Sequence, residues 1–312
     1  MKISVIIATR NRKDDIIETV NAFKNQSYEN KEIIVIDNAS DDGTKEMMAE
    51  LFPEIEYRWL PDNIDILAQN YGRVISDGDI IWRTDSDSYP ETDDVFDKVI
   101  EIFNNNNDID LIACEEVLPK LNNAVWEWYP FKIDRVNVPP KGYPVNTFAG
   151  PGAAIRRRVF DRVGGFWEFG MEEIDFSTKA ILAGFTLRYF PNIRVLHFAS
   201  KNDRVVPDRW VKISSQYIRY IVKYFPGWRA FFYFIVIYKF QLIHGLALRV
   251  GISAWIECMG KMLGVALATK RNERRKISME EYKKITMDIS LIKNIWIFVK
   301  DKIKSKFHKK RK

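Results

Sequence analysis

The 312 residues, 46% hydrophobic and 29% charged, exclude a disordered chain and leave room for a catalytic core with a smaller appendage. The net charge of +6 is unevenly placed: the amino-terminal part is rich in acids, whereas Lys300–Lys312 holds eight basic residues against Asp301 alone, which points the tail at an anionic surface. Cys114 and Cys258 lie far apart without metal-binding spacing, which argues against a disulfide framework or a zinc site, and the opening run Met1–Ile7 is too short for a signal segment, so a reducing, cytoplasmic setting is expected.

Up to about Asp110, short β-branched runs alternate with helical stretches. Strands are expected at Ile3–Ile7, Glu32–Asp37, Ile55–Trp59 and Ile80–Asp85, and helices at Lys13–Asn25, Asp42–Phe52 and Ile66–Ser76. That alternation predicts an α/β fold of βαβ units, with a mostly parallel sheet flanked by helices. Ligands of such sheets gather beyond the carboxyl ends of the strands, so Thr9, Asp37 and Asp85 are expected to converge on one edge. Asn104–Asn107 reads as a polar turn between a helix and a strand. From Leu111 to His197 the pattern loosens into an aromatic stretch at Trp126–Phe131, a proline-rich loop at Val138–Pro144 and a glycine-rich segment at Phe148–Ala154, as an acceptor-binding half built on loops would.

Beyond Pro207 the composition shifts to aromatic and apolar residues mixed with Lys and Arg. A boundary within Lys201–Pro207 would divide a catalytic domain, residues 1–205, from a helical, membrane-associating region, residues 206–312. Ala230–Tyr238 is wholly apolar and aromatic but reaches Leu248 only by accepting Lys239, Gln241 and His244, a poor match to the about 20 apolar residues of a spanning helix. Val250–Ala268 reads as an apolar helix with a narrow polar stripe of Ser253, Glu257 and Lys261. Ser278 and Glu281 have the spacing of a capping box. Ile292, Ile295, Trp296, Val299 and Ile303 form an apolar face beside Lys293, Lys300 and Lys304, the pattern of a basic helix lying on an anionic membrane surface. A soluble or dimerising helical domain and a true span are the alternatives.

The chemistry-bearing residues begin with Asp85-Ser86-Asp87, at a strand end followed by Pro90. Two carboxylates at such a turn can converge on one hard cation, and Mg²⁺ or Mn²⁺ takes oxygen ligands while keeping positions open for phosphates. Read alone, the triplet is also an ordinary acidic turn. Asp37 ends the second strand, where a dinucleotide-binding fold also places an acid, but the first turn, Ala8–Asp14, contains no glycine and no P-loop occurs. Asp37 can instead accept a hydrogen bond from a base or ribose, with Arg10 or Arg12 meeting phosphate. Asp41 or Asp42 is expected to cap the following helix.

Ser4–Arg12, Val35–Thr44 and Asp85–Asp87, in that order and spacing, and then Gly164-Gly165-Phe166, Glu172-Glu173-Ile174-Asp175 and His197, resemble the family 2 glycosyltransferases. The resemblance runs from Ser4 to His197. It implies a GT-A fold, a nucleotide-diphosphate sugar donor of UDP, dTDP or GDP type, a divalent metal, and inversion at the anomeric carbon. It places Thr9 and Asp37 at the nucleotide, Asp85 and Asp87 at the metal with Asp87 the more direct ligand, and Asn63 and Asn70 in the segment crossing toward the donor sugar, where Ile64-Asp65 stands in place of the usual glycine. Direct displacement needs a base for the acceptor hydroxyl. The resemblance puts it at Glu173, where the family usually has Asp, with Glu172 and Asp175 as alternatives; acids at a helix start are also favoured by the helix dipole alone. His197 is expected near the metal or diphosphate, and Gly150, Gly152 and Arg156–Arg158 resemble the acceptor loop and the helix after it.

The function expected is an inverting transfer of sugar to a hydroxyl of a lipid-linked or cell-surface glycan at the cytoplasmic membrane face. Competing readings are a nucleic-acid-binding protein using the basic tail, a catalytically silent scaffold of the same fold, and a nucleotide-sugar hydrolase or nucleotidyltransferase. Nucleic acid is not an expected partner, because the conspicuous site is acidic and the basic residues are terminal.

Overall fold

The computed structural model describes residues 1–125, 133–198, 206–247 and 251–287. The aromatic stretch Trp126–Phe131, most of the expected domain boundary, the amphipathic segment Ile292–Ile303 and the basic tail lie outside the described residues.

The first half alternates as expected: β1 (Ile3–Thr9), α1 (Lys13–Lys24), β2 (Lys31–Asn38), α2 (Thr44–Leu51), β3 (Glu56–Leu60), α3 (Leu67–Ile75) and β4 (Ile80–Asp85). There follow β5 (Ser88–Pro90), α4 (Val95–Asn105), β6 (Leu111–Leu118), the two-residue strands β7 (Ala124–Val125) and β8 (Tyr143–Pro144), β9 (Ala153–Arg156), α5 (Arg157–Val163), α6 (Glu172–Leu182) and β10 (Leu187–His197). Four helices complete the described chain: α7 (Val206–Tyr224), α8 (Gly227–Ala247), α9 (Ile252–Asn272) and α10 (Met279–Thr286).

All ten strands join one sheet in the order β3-β2-β1-β4-β9-β6-β10-β5, with β7 on β6 and β8 on β10. β1 pairs in parallel with β2 and β4, so their carboxyl ends are level: Thr9 stands opposite Asp37 and Ala8 opposite Asp85. The other half is mixed, because β9 runs antiparallel between β4 and β6. β5 returns antiparallel along β10 and sets Ser88 opposite His197, which brings the turn after Asp85 to the end of β10.

Successive strand residues point to opposite faces, and the central strands are apolar on both. On one face Ile3, Val5, Ile7, Ile33, Val35 and Trp82 pack with Phe23 of α1 and Phe96 of α4. On the other, Ile6, Ile34, Ile36 and Ile81 meet Phe160 of α5 and Phe176 of α6. The same alternation carries β4 past Ile81 to Arg83 and Asp85 on the α6 side, so a cation and an acid emerge where the core ends.

The carboxyl-terminal helices form a third core around Trp210, Ile218, Ile221, Tyr233, Cys258 and Met262. Ser278 and Glu281 make the expected capping box, the Ser278 hydroxyl accepting from the Glu281 N–H at 3.1 Å and the Glu281 carboxylate from the Ser278 N–H at 2.7 Å. Among the described residues one helix, α9, is long and apolar enough to cross a membrane.

Candidate functional site

A cleft of about 410 Å³ opens over the carboxyl ends of β1 and β4. Thr9, Arg10, Arg12, Asn63, Asp85, Asp87, Glu172 and Glu173 all line it, and so do Arg83, Asp65, Gly150, Phe169 and Arg209.

Three groups converge on a possible cation. One ligand atom each from Asp85, Asp87 and His197 lie within 4.8 Å of one another. The His197 Nδ1 is 2.5 Å from a Glu116 oxygen, and its Nε2 is 3.6 Å from Asp87 Oδ1. A neutral imidazole that donates from Nδ1 to Glu116 presents its Nε2 lone pair toward the Asp87 carboxylate, and that buried nitrogen has no hydrogen-bond partner among the described residues. A lone pair facing a carboxylate calls for a positive charge between them, from either a proton or a metal. The outer carboxylate that orients the ring is also a usual feature of metal-bound histidines. The donor set of two carboxylates and one imidazole therefore fits Mg²⁺ or Mn²⁺. Burial disfavours the charged form of His197, but the Glu116 hydrogen bond and the charges of Glu116, Asp85 and Asp87 outweigh it and raise the pKa. Arg12 Nη1 holds the other Asp87 oxygen at 2.8 Å and reaches Asp15 at 3.3 Å.

Arg83 was not singled out in the sequence. It is 3% exposed, with Nη1 3.2 Å from Asp85 Oδ1 and Nη2 3.4 Å from Glu173 Oε1. Burial opposes its charge, but Asp85, Glu173, Glu172 and Glu116 together raise its pKa. The fit is tight against Gly150, where a Cβ would lie 2.4 Å from Arg83 Nη1 and 2.6 Å from Glu173 Oε1. A larger residue here would push the Arg83 and Glu173 side-chain ends from their present positions.

The three acids of α6 have separate surroundings. Glu173 faces Arg83 in the cleft, and burial, then the charge of Glu172, push its carboxyl up to about 8 against the pull of Arg83. Glu172 also lines the cleft, but it accepts the Gly170 N–H at 2.6 Å, and burial raises its pKa. Asp175 does not line the cleft. It is 3% exposed and turned to α7, bonded by Lys223 Nζ and the Tyr224 hydroxyl, each at 3.0 Å, with Lys179 at 3.6 Å. Two residues on from Glu173, it stands roughly 200° around the helix and so points away from the cleft.

Among the other expected donor-side residues, Thr9 is buried at the cleft wall, its hydroxyl without a hydrogen-bond partner among the described residues. Asn63 lines the cleft and accepts the Asp65 N–H at 3.0 Å. Asp37 lies beneath the lining, fully buried, and accepts from the Ser40 N–H at 2.8 Å and the Tyr57 hydroxyl at 2.5 Å; Asn38 lines the cleft instead. Asn70 lies off the cleft, donating to the Phe166 carbonyl at 2.9 Å and accepting its N–H at 2.7 Å, so both ends of its amide are committed to the loop before α6. Asp42 holds the starts of two helices, accepting from Lys13 N and Thr44 N at 3.1 Å each. Arg156 and Arg157 turn to backbone carbonyls, and Arg158 to Asp110 and the Asn107 carbonyl, not to the cleft.

Arg209 and Lys212 come from α7. Arg209 lies over the Phe169 ring at 4.6 Å, and Lys212 pairs with Asp65 at 2.7 Å. The helical region thus supplies part of the rim, a contact that no local pattern around residue 209 announces.

Comparison with known proteins shows the family and the fold. The model of the family described as Glycosyl transferase family 2 matches residues 4–164. A probable glycosyltransferase of Bacillus subtilis (strain 168), YdaM, is 26% identical over 207 residues, a match covering 61% of this chain and 49% of that protein. The match therefore spans about half the length of this curated relative. The S. aureus TarS fragment 1–349 in complex with UDP-GlcNAc superposes with a TM-score of 0.61 at 16% identity, over 85% of this chain and 82% of that one. The mannosyltransferase PcManGT from Pyrobaculum calidifontis, in complex with GDP-Man and Mn²⁺, superposes with a TM-score of 0.55 at 16% identity, over 95% of this chain and 83% of that one. At that identity the two structures speak to a shared GT-A fold.

Proposed function

The chain belongs to glycosyl transferase family 2, and from that premise we propose that it is a metal-dependent, inverting glycosyltransferase that uses a nucleotide-diphosphate sugar. The observation that carries this reading is the cleft in which Arg83 stands between Glu173 and Asp85, with Asp87 on the same wall and His197 grouped with the two aspartates. Mn²⁺ and the nucleotide sugars GDP-Man and UDP-GlcNAc in the two structural neighbours support the same chemistry here.

Asp85, Asp87 and His197 would hold the divalent cation. Bound there, it would neutralise charge on the donor diphosphate and so ease its departure. Thr9 and Asn38 take the nucleoside end, with Asp37 acting beneath them through the loop it fixes. Arg10 and Arg12 face phosphate, and Asn63 faces the donor-sugar side. Glu173 removes the proton from the acceptor hydroxyl as that oxygen forms its bond to the anomeric carbon. The bond from that carbon to the diphosphate oxygen breaks in the same displacement, and the nucleoside diphosphate leaves with the electron pair. One displacement inverts the configuration. Glu172 holds the loop at Gly170, and Arg83 orients Glu173.

Residues 1–205 would carry this chemistry, and residues 206–312 would hold the enzyme at the cytoplasmic face of the membrane, where a lipid-linked or surface-glycan acceptor is presented. Asp87→Ala tests the metal role. It should abolish metal-dependent nucleotide release while the protein stays folded; unchanged turnover would contradict it.

A further inference from the structure

The hairpin of α8 and α9 packs inward on α7 through Ala230, Tyr233 and Ile237 of α8 and Cys258, Met259 and Met262 of α9. Its outward side is also apolar. Trp228, Phe231 and Ile235 recur at helical spacing on α8, and Ile256, Leu263 and Leu267 on α9, with exposures from 36% to 71%. Gly260 and Gly264 lie among the latter with open space before them. An amphipathic helix buries one face, but these two helices are apolar on both sides, so the outward side is matched to a second apolar medium.

We propose that this outward side of the α8/α9 hairpin is an interfacial docking face for an anionic lipid bilayer. The proposal gives a surface to the membrane location suggested above and rests on that part of the reading only. Charge selects the occupant: residues 227–272 contain six Lys and Arg against Glu257 alone. A second copy would set these cations against one another, whereas anionic headgroups neutralise them. Trp228 at the start of α8 is a residue type that settles at the headgroup boundary, and Phe231 one turn on belongs to the apolar face that such helices bury. Exposed Glu257 and Lys261 near the middle of α9 favour a helix lying in the interface over one crossing it. α7, on which the hairpin rests, also carries Arg209 to the cleft and pairs Lys212 with Asp65. A docked hairpin thus holds the cleft at a fixed place relative to the bilayer.

The test is flotation of the full chain with vesicles of phosphatidylglycerol and phosphatidylcholine in equal parts, and with phosphatidylcholine alone. The chain should float with the anionic vesicles and much less with the neutral ones. The double variant Phe231→Asp, Leu267→Asp changes two exposed side chains, and its circular dichroism and melting curve report whether it folds. It should lose vesicle partition by about tenfold or more. In a second arm, acyl chains carrying bromine should quench tryptophan fluorescence, and Trp228→Phe should remove much of that quenching. No flotation of the wild type, full flotation of the double variant (which would put binding on the basic tail), or a change only in oligomeric state would each overturn the proposal. Nucleotide release with a soluble acceptor should be the same in wild type and double variant. That assay separates the two claims, because its failure in both proteins leaves the docking face standing and its persistence in the double variant leaves the donor site standing.

Discussion

The guanidinium of Arg83 lies between Asp85 at 3.2 Å and Glu173 at 3.4 Å, and its neighbours fix what each group can do. Glu173 must be ionised to accept a proton, and its pKa stands at about 8. kcat/KM should therefore rise with pH as Glu173 deprotonates, with a midpoint at or below about 8, because a cation beside Asp85 would pull it down. Arg83 lowers that pKa, so Arg83→Met should move the acid limb to higher pH; an unmoved limb would show that Arg83 does not act through Glu173. Glu173→Gln keeps the shape of the side chain and removes the proposed base. It should reduce kcat by about 10² to 10⁴-fold with donor binding retained, as read by single-turnover kinetics and by titration of the donor. Arg83 was readable only in hindsight: β4 alternates Ile81, Arg83 and Asp85 on one face, but a lone arginine in a strand carries no signal until the α6 acids are placed above it.

The elements decide which acid of the cluster is available. α6 begins at Glu172, and Asp175, two residues and roughly 200° around the helix from Glu173, faces α7 and binds Lys223 and Tyr224. Asp175→Asn should destabilise the protein by about 3 kcal/mol, since it removes the buried carboxylate that the partly buried Lys223 and Lys179 face. The melting temperature should fall while kcat per folded molecule changes little; a large loss of kcat at unchanged stability would restore Asp175 as a candidate base. The helix start and its three acids were plain in the sequence, but the direction of each side chain depends on where α7 lies, which belongs to a distant segment. Asn70 has a similar history: its place on α3 was readable, yet its partner is the Phe166 backbone. By contrast, the βαβ alternation and the levelling of Thr9, Asp37 and Asp85 were readable because strand period and parallel connection are local rules.

At the scale of the whole molecule, the sheet provides an edge where the residues proposed for nucleotide, cation and acceptor proton meet, and α7 closes one side of it with Arg209 and Lys212. The ordered motifs from Ser4 to His197 were enough to place the chain in its family, because their succession is more specific than any one of them. What the helical region does could not be read so directly, since an apolar helix has the same composition whether its outer face meets lipid or protein. The central claim is that Asp85, Asp87 and His197 hold a divalent cation on a nucleotide-diphosphate donor. Its most direct test is release of nucleoside diphosphate from a panel of UDP-, dTDP- and GDP-sugars, with and without an acceptor, in Mn²⁺ or Mg²⁺ and again after chelation. The account predicts acceptor-stimulated release from one nucleotide class that stops on chelation and returns when the metal is restored; release that is indifferent to both chelation and acceptor would contradict it.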